Sequence, residues 1–139
     1  MNLTIEMVTK LQSVGFEFEQ LEHRCSPGKV YYYDNNVYTI GGVWDGTPCS
    51  EFEQIIAHNG VWLPEEGDLI RWLELTDHDI EIKYTKSYYN GKAVDTLGNV
   101  FEGGGGDLLC CLYKLIYKIC KKSKGMIKPA NILLLKCEK

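Results

Sequence analysis

Residues 79 to 119 read DIEIKYTKSYYNGKAVDTLGNVFEGGGGDLLCCLYKLIYKI and contain the strongest structural signals in the chain. Apolar and charged side chains alternate from residue 80 to residue 84, which is the period of a half-buried strand. Asn90-Gly91 is a two-residue hairpin signal, and Leu97-Gly98-Asn99 supplies a further turn. The stretch therefore begins as an antiparallel meander.

The second part of the same stretch changes from strand to helix. Four glycines, Gly103 to Gly106, lead to Asp107, whose side chain is a typical helix N-cap. Apolar residues then recur at helical spacing, so we predict an amphipathic helix that ends near Lys122.

Outward from this region, two more helices have capping signals. Asn2 or Thr4 can cap a first helix that ends at Gly15, because glycine tolerates the left-handed conformation found there. Ser50 and Glu53 fit a capping box for a short helix. An extended conformation of residues 51 to 57 is the alternative.

A further helix should begin near Pro64, which suits the first turn. Its first turn is acidic and complements the positive end of the helix dipole. Its predicted buried side consists of Leu69, Ile70, Trp72, Leu73 and Leu75.

The first half of the chain also predicts strands. Residues 16 to 20 alternate, and residues 30 to 33 form an aromatic strand. The turn Asp34-Asn35-Asn36 then leads to a return strand at residues 37 to 43, since Asn and Asp accept positive φ at low cost.

The two halves repeat one order of elements, helix, strands and helix, in residues 4–59 and 64–122. We therefore predict an α+β domain over residues 1–124, built from duplicated helix-β-hairpin-helix units with pseudo-symmetry and mainly antiparallel sheet. Residues 125–139 form a basic and apolar C-terminal tail.

Composition and charge limit the class of protein. The chain has 139 residues and a net charge of -4, with 45% apolar and 24% charged residues, which excludes a disordered or low-complexity chain. Residues 1 to 107 carry 7 basic and 18 acidic side chains, net -11, whereas residues 108 to 139 carry 8 lysines and one glutamate, net +7. This asymmetry indicates an anionic partner or pairing between the halves, while the acidic first part argues against nucleic acid.

Cysteine usage and hydropathy bear on location. The first residues lack the basic and then apolar pattern of a secretory signal, so we expect six reduced cysteines and a cytoplasmic protein. No C-x-x-C pair occurs, which excludes a zinc ribbon. The longest apolar stretch is too short to span a bilayer, so no membrane contact is expected.

The segment from Tyr88 to Phe101, followed by the glycines and the amphipathic helix, resembles small α/β-sandwich proteins of phages and prophages of Gram-positive bacteria. The resemblance covers residues 64 to 122 and includes no catalytic residues. It implies a phage-encoded protein, and such proteins include binders that sequester nucleotide immune signals or block host defence proteins.

Candidate ligand residues come from three features of the sequence. A glycine run before a helix can bind phosphate through free backbone N–H groups, exposed aromatic rings can stack on a base, and the two arginines can form forked phosphate contacts. Each feature also has a structural explanation: a flexible connection, cross-strand packing and surface solvation. The candidates are Arg24, Tyr31, Tyr33, Trp44, Arg71, Tyr89, Gly104, Gly105 and Gly106.

Metal and catalytic signals are sparse. His23-Arg24-Cys25 with Cys49 lacks a zinc ligand set, and Asp77-His78-Asp79 resembles an oriented base without a nucleophile. We therefore expect no catalytic residue, metal or cofactor, and a non-enzymatic, homo-oligomeric binder of a small anionic nucleotide. The alternatives are a protein–protein inhibitor of a host factor and a small enzyme.

Overall fold

A computed structural model describes residues 1–17, 28–41 and 50–126, with side chains described as far as residue 123. These residues form four helices and six strands. In chain order they are α1 (Ile5–Ser13), β1 (Val30–Tyr33), β2 (Asn36–Thr39), α2 (Glu51–Asn59), β3 (Val61–Trp62), α3 (Glu66–Leu75), β4 (Asp79–Thr85), β5 (Tyr88–Val94), β6 (Val100–Gly105) and α4 (Leu108–Met126).

The strands form two three-stranded antiparallel sheets, so the α+β class is confirmed. The first sheet has the order β2-β1-β3, and its third strand follows α2 in the chain. The second sheet is the meander β4-β5-β6. Because the strands are connected differently, the duplication is not confirmed and stays a prediction.

The main core lies between the second sheet, α4, α1 and α3. Its fully buried side chains include Leu11, Leu69, Leu73, Leu112 and Ile116. The first sheet closes this core with Val30, Tyr32 and Val61, and its other face packs on α2 through Tyr31, Tyr33 and Trp62. Alternation along β1 thus divides the tyrosines between two clusters, as the sequence predicts.

The local capping signals are confirmed. Thr4 accepts a hydrogen bond from the backbone N–H of Met7 at 3.2 Å, and α1 is followed by Gly15 at φ 94°. Ser50 and Glu53 form the reciprocal capping box of α2, so the extended alternative for residues 51 to 57 is wrong. Asp107 Oδ1 accepts from the Cys110 N–H at 2.7 Å at the start of α4.

The first hairpin turns at Asp34 and Asn35, which have φ of 49° and 63°, as predicted. Its return strand ends at Thr39, and residues 42 and 43 lie outside the described residues. The segment from residue 18 to residue 20 of the predicted first strand also lies outside them. The short strand β3 has no counterpart in the sequence prediction.

The predicted turn at Asn90-Gly91 is wrong. Both residues lie inside β5, and the chain reverses instead at Lys86 and Ser87, which adopt φ of 51° and 65°. The predicted glycine loop is also wrong for three of its four residues, because glycines 103 to 105 are the last residues of β6.

The glycines are placed inside strands because α4 crosses the sheet at them. A Cβ on Gly91 would lie 2.7 Å from Cys111 Sγ and 2.8 Å from Leu115 Cδ1. On Gly103 a Cβ would lie 3.1 Å from the Leu115 backbone N, and on Gly105 it would lie 2.9 Å from Cys110 Cβ. Gly91, Gly103 and Gly105 therefore form a trough without side chains, in which the helix lies closer to the sheet than any larger residue allows.

Helices α2 and α3 carry apolar side chains that are exposed or only half-buried. Phe52 and Ile55 of α2 are exposed, and Phe52 contacts Tyr38 edge to face at 5.5 Å. Leu75 of α3 is half-buried, whereas Leu69, Trp72 and Leu73 are buried. Among the described residues, no helix combines the length and the hydropathy required to cross a bilayer.

The trough makes a direct prediction about stability. Gly91→Ala should lower the free energy of unfolding by about 1 to 3 kcal/mol, because the methyl group overlaps two fully buried side chains. Gly67→Ala is the matched control: Gly67 lies in α3 with open space around it, so alanine should raise stability by about 0.5 to 1 kcal/mol. Urea denaturation of both variants measures the difference.

A second substitution tests the cause. Cys111→Ala removes the atom nearest to the added methyl group, so the cost of Gly91→Ala should be smaller in that background than in the wild type. Equal costs in both backgrounds would show that the contact with Cys111 is not responsible.

Candidate functional site

The tip of the β4–β5 hairpin carries a cluster of tyrosines. Tyr84 pairs with Tyr89 across the strands, and their ring centroids lie 4.7 Å apart at an angle of 51°. Tyr84 is 60% exposed and Tyr88, four residues on, is 46% exposed. We call Tyr84, Tyr88 and Tyr89 the tyrosine tip.

The two faces of the sheet divide the tyrosine tip. Tyr84 and Tyr89 share the α4 side with the glycine trough, since Tyr89 is opposite Gly105 in the register. Tyr88 lies on the other side, with its ring over Gly104: a Cβ there would be 2.8 Å from the Tyr88 hydroxyl oxygen. The tip therefore presents aromatic surface on both sides of one thin hairpin.

The structure brings together four of the predicted ligand residues. Tyr89 is adjacent to Gly104 and Gly105 through the β5–β6 pairing, and Gly106 follows directly. Gly105 is buried against Cys110, while Gly106 is exposed with no atom near its Cβ position. Gly104 and Gly105 thus lie next to the tyrosine tip in strand conformation, and Gly106 leads to α4. The flexible connection considered from the sequence is therefore limited to Gly106.

The remaining predicted residues lie elsewhere. Tyr31 is only 4% exposed, in the small core with Ile40 and Ile56, and Tyr33 packs against the same cluster. Arg71 is exposed on α3. Arg24 and Trp44 lie outside the described residues.

Sequence reasoning did not assign Tyr84 and Tyr88 to the site. Both belong to an evident aromatic set, but placing the turn at Asn90 paired the strands incorrectly. With the turn at Lys86 and Ser87, Tyr84 and Tyr89 become opposite neighbours. The signal that could have identified this pair is the symmetric spacing of Tyr84 and Tyr89 around Lys86-Ser87.

Charges near the tip are arranged in cross-strand rows. Glu81, Lys92 and Glu102 are neighbours on the outer side of the second sheet, and this row alternates in sign. Lys83 and Lys86 lie closer to the turn, both exposed, and Lys83 is 3.6 Å from Glu81. The turn itself therefore carries a cation, Lys86, beside the exposed rings.

A second polar cluster lies at the opposite end of the sheet. His78 is half-buried between Trp72 and Phe101, with ring centroids 6.5 Å and 6.1 Å away, and its Nδ1 is 2.9 Å from the Thr76 hydroxyl. Burial lowers the pKa of His78, against the opposing field of Asp95. Thr76 and two aromatic rings hold the imidazole, and no carboxylate of the described residues bonds to it.

Asp95 is engaged within its own loop. Its carboxylate accepts hydrogen bonds from the Leu97 and Asn99 N–H groups and from the Asn99 side chain, and these bonds lower its pKa. Lys122 of α4 donates to Asn99 Oδ1 at 2.9 Å. The cluster thus ties α4 to the β5–β6 turn.

Two of the three described thiols, those of Cys111 and Cys120, are unsuited to nucleophilic chemistry. Burial raises the pKa of the Cys111 thiol, and it raises that of Cys120 to about 12. Thiols with raised pKa values stay protonated at neutral pH, and the thiolate is the reactive form. Within the described residues, no group of three or more His, Cys, Asp or Glu side chains could hold a metal ion.

Comparisons of the chain with protein-family models, with characterised proteins and with solved structures gave no match.

His78 makes the stability of the fold depend on pH. Its pKa in the folded state lies below the ordinary value of 6.5, so the unfolded chain takes up a proton at this ring more readily than the folded chain does. Stability should therefore rise as the pH increases from below the folded pKa to 6.5, and level off above it. In His78→Phe, which keeps a ring between Trp72 and Phe101, this part of the rise should disappear.

Urea midpoints between pH 5.5 and 7.5 measure the effect. His58→Gln, at an exposed position in the last turn of α2, is the control for removing a histidine. A wild-type profile that His78→Phe leaves unchanged would contradict the assignment.

Proposed function

We propose that the protein is a non-enzymatic binder that holds a small, planar, anionic ligand of the nucleotide type at the tyrosine tip. The proposal rests on the Tyr84–Tyr89 pair. The two rings are tilted against each other, and Tyr84 is 60% exposed, so its ring is accessible to a ligand. A base stacked on such a ring gains about 1 to 3 kcal/mol, whatever its identity.

The surroundings of the platform favour an anion. Lys86 lies in the turn, whereas Lys83, one residue before Tyr84, lies on the other side of the sheet with Glu81. Ammonium groups near an aromatic surface attract phosphate without imposing one geometry. Asp107 occupies the N-terminus of α4 as its cap, so a phosphate would be held by lysine rather than by the helix end.

The non-enzymatic part of the proposal is supported by the engagement of the titratable groups. His78 is bonded to Thr76, Asp95 is bonded to its own turn, and Cys111 and Cys120 have raised thiol pKa values. None of these groups is positioned as a nucleophile with its base.

The biological role follows from the resemblance to phage proteins. A phage-encoded binder in the host cytoplasm would act by sequestering a nucleotide immune signal and thereby prevent its detection. An open platform covers one face of a base, so a second copy of the chain would complete the enclosure; a homo-oligomer is part of the proposal.

One observation favours a second candidate, a protein–protein inhibitor of a host factor. Phe52, Ile55 and Val37 are exposed apolar side chains of α2 and β2, and Tyr88 adds an exposed ring. Aromatic residues that are exposed in a free protein are common anchors at protein interfaces. Pull-down from host lysate separates the candidates: an inhibitor should recover one stoichiometric protein that Phe52→Ser no longer recovers.

Calorimetry against cyclic and linear nucleotides tests the first candidate. At least one nucleotide should bind more tightly than about 100 μM. Tyr84→Ala should weaken that binding by about 5- to 150-fold, which corresponds to the loss of one stacking contact. Tyr84 is largely exposed, so the variant should keep the wild-type melting temperature.

Leu97→Ala is the matched control, because Leu97 is 87% exposed in the β5–β6 turn at the other end of the sheet. It should leave nucleotide affinity unchanged. Absence of binding across the panel, or equal weakening by both variants, would remove the tyrosine tip as the ligand site.

A further inference from the structure

The described lysines of α4 lie on two sides of the helix. Lys118 donates a hydrogen bond to the Glu102 carbonyl and Lys122 donates one to Asn99, so this side is tied to the second sheet. Lys121 lies on the side of α1, with its Nζ 5.9 Å from the centre of the Tyr117 ring. The described lysines of α4 are therefore divided by their contacts.

A cation from another helix meets the same ring. Lys10 of α1 places its Nζ 5.5 Å from the centre of Tyr117, and Tyr113 lies one turn away with its ring centroid 6.4 Å from that of Tyr117. The α1–α4 packing therefore brings two ammonium groups, separated by more than 100 residues in sequence, to one aromatic side chain.

Within the described part of the chain, no carboxylate forms an ion pair with either ammonium group. In residues 1–17, 28–41 and 50–123, the ion pairs join Met1 to Glu66, Lys29 to Asp68 and Lys83 to Glu81, and none includes Lys10 or Lys121. A cation over a ring is attracted by the ring quadrupole but keeps its full charge. Two ammonium groups 5.5 Å and 5.9 Å from the centre of one ring create a positive potential there, which attracts an anion.

We propose that Lys10, Tyr117 and Lys121 form a binding site for a phosphate-bearing anion at the junction of α1 and α4, separate from the tyrosine tip. Lysine ammonium groups bind phosphate as point charges, and two of them suit the two phosphates of a diphosphate group. Tyr113 contributes a phenol beside them. Burial raises its pKa, so it stays protonated and able to donate a hydrogen bond.

The site also gives part of the positive charge a role. Among the described lysines of α4, Lys118 and Lys122 bond to the second sheet, whereas Lys121 lies at the Tyr117 ring on the side of α1. Lys10 joins Lys121 there although it belongs to the acidic part of the chain.

The experiment uses pyrophosphate and ADP as probes for the full chain. Two-dimensional NMR titration at constant ionic strength should shift the amide signals around residues 10, 117 and 121, with a dissociation constant in the range of about 0.1 to 1 mM. Lys10→Gln and Lys121→Gln should each weaken pyrophosphate binding at least fivefold.

Two controls remove the same charge elsewhere. Lys114→Gln lies on α4 on the side nearer the sheet, and Lys92→Gln lies in the outer row of β5. Each should change the affinity less than twofold. Equal weakening by all four variants would show general electrostatic attraction and overturn the site, as would an absence of saturable shifts up to 10 mM pyrophosphate.

The probes and one further variant separate this site from the tyrosine tip. Equal affinity for pyrophosphate and ADP assigns recognition to the phosphates, and tighter binding of ADP adds a contact with the base; both results support the site. Tyr84→Ala should leave pyrophosphate binding unchanged. Loss of pyrophosphate binding in Tyr84→Ala would place the anion at the hairpin and overturn the α1–α4 site.

Discussion

Helix α4 approaches the second sheet most closely at three positions where the sheet has no side chains. Gly91, Gly103 and Gly105 provide that surface, and a Cβ at each would meet atoms of α4 within 3.1 Å. Close packing leaves no space to relieve such contacts, so the glycines fix the position of the helix. The position of α4 in turn sets the contacts of α1 and α3, which pack against it in the main core.

The same constraint explains which sequence predictions succeed and which fail. Thr4, the Ser50–Glu53 pair, Asp107 and the Asp34-Asn35 turn were predictable, because each acts within four residues of its own position. Asn90-Gly91 satisfies the local rule for a hairpin equally well. Its glycine is needed for contact with a helix twenty residues later, and a local signal carries no information about that requirement.

The candidate site was partly predictable for a related reason. Tyr89 and the glycines were identified because their residue types suggest ligand contact, whereas Tyr84 depends on strand register, which the misplaced turn had shifted. Tyr31 shows the converse: its type suggested a ligand, but alternation along β1 turned it into the small core. The residue type indicates which side chains could bind a ligand, whereas the register of the strands determines which of them lie at a surface. The proposed Lys10–Tyr117–Lys121 site could not be predicted from residue type or strand register, since it depends on the packing of α1 against α4.

The exposure of Tyr84 follows from where α4 begins. Ile80, Ile82 and Tyr84 share one side of β4, and the two isoleucines pack against the main core while Tyr84 is mostly exposed. Helix α4 starts just after Gly105 and Gly106 and runs back over β6 and β5, so the tip of the hairpin lies beyond its first turn. A polar residue at position 84 would leave the backbone hydrogen bonds of the strand unchanged and would not expose an aromatic ring to water. Core packing therefore does not account for the tyrosine pair at the tip; ring contact across the strands does, and the proposed ligand would add a second reason for it.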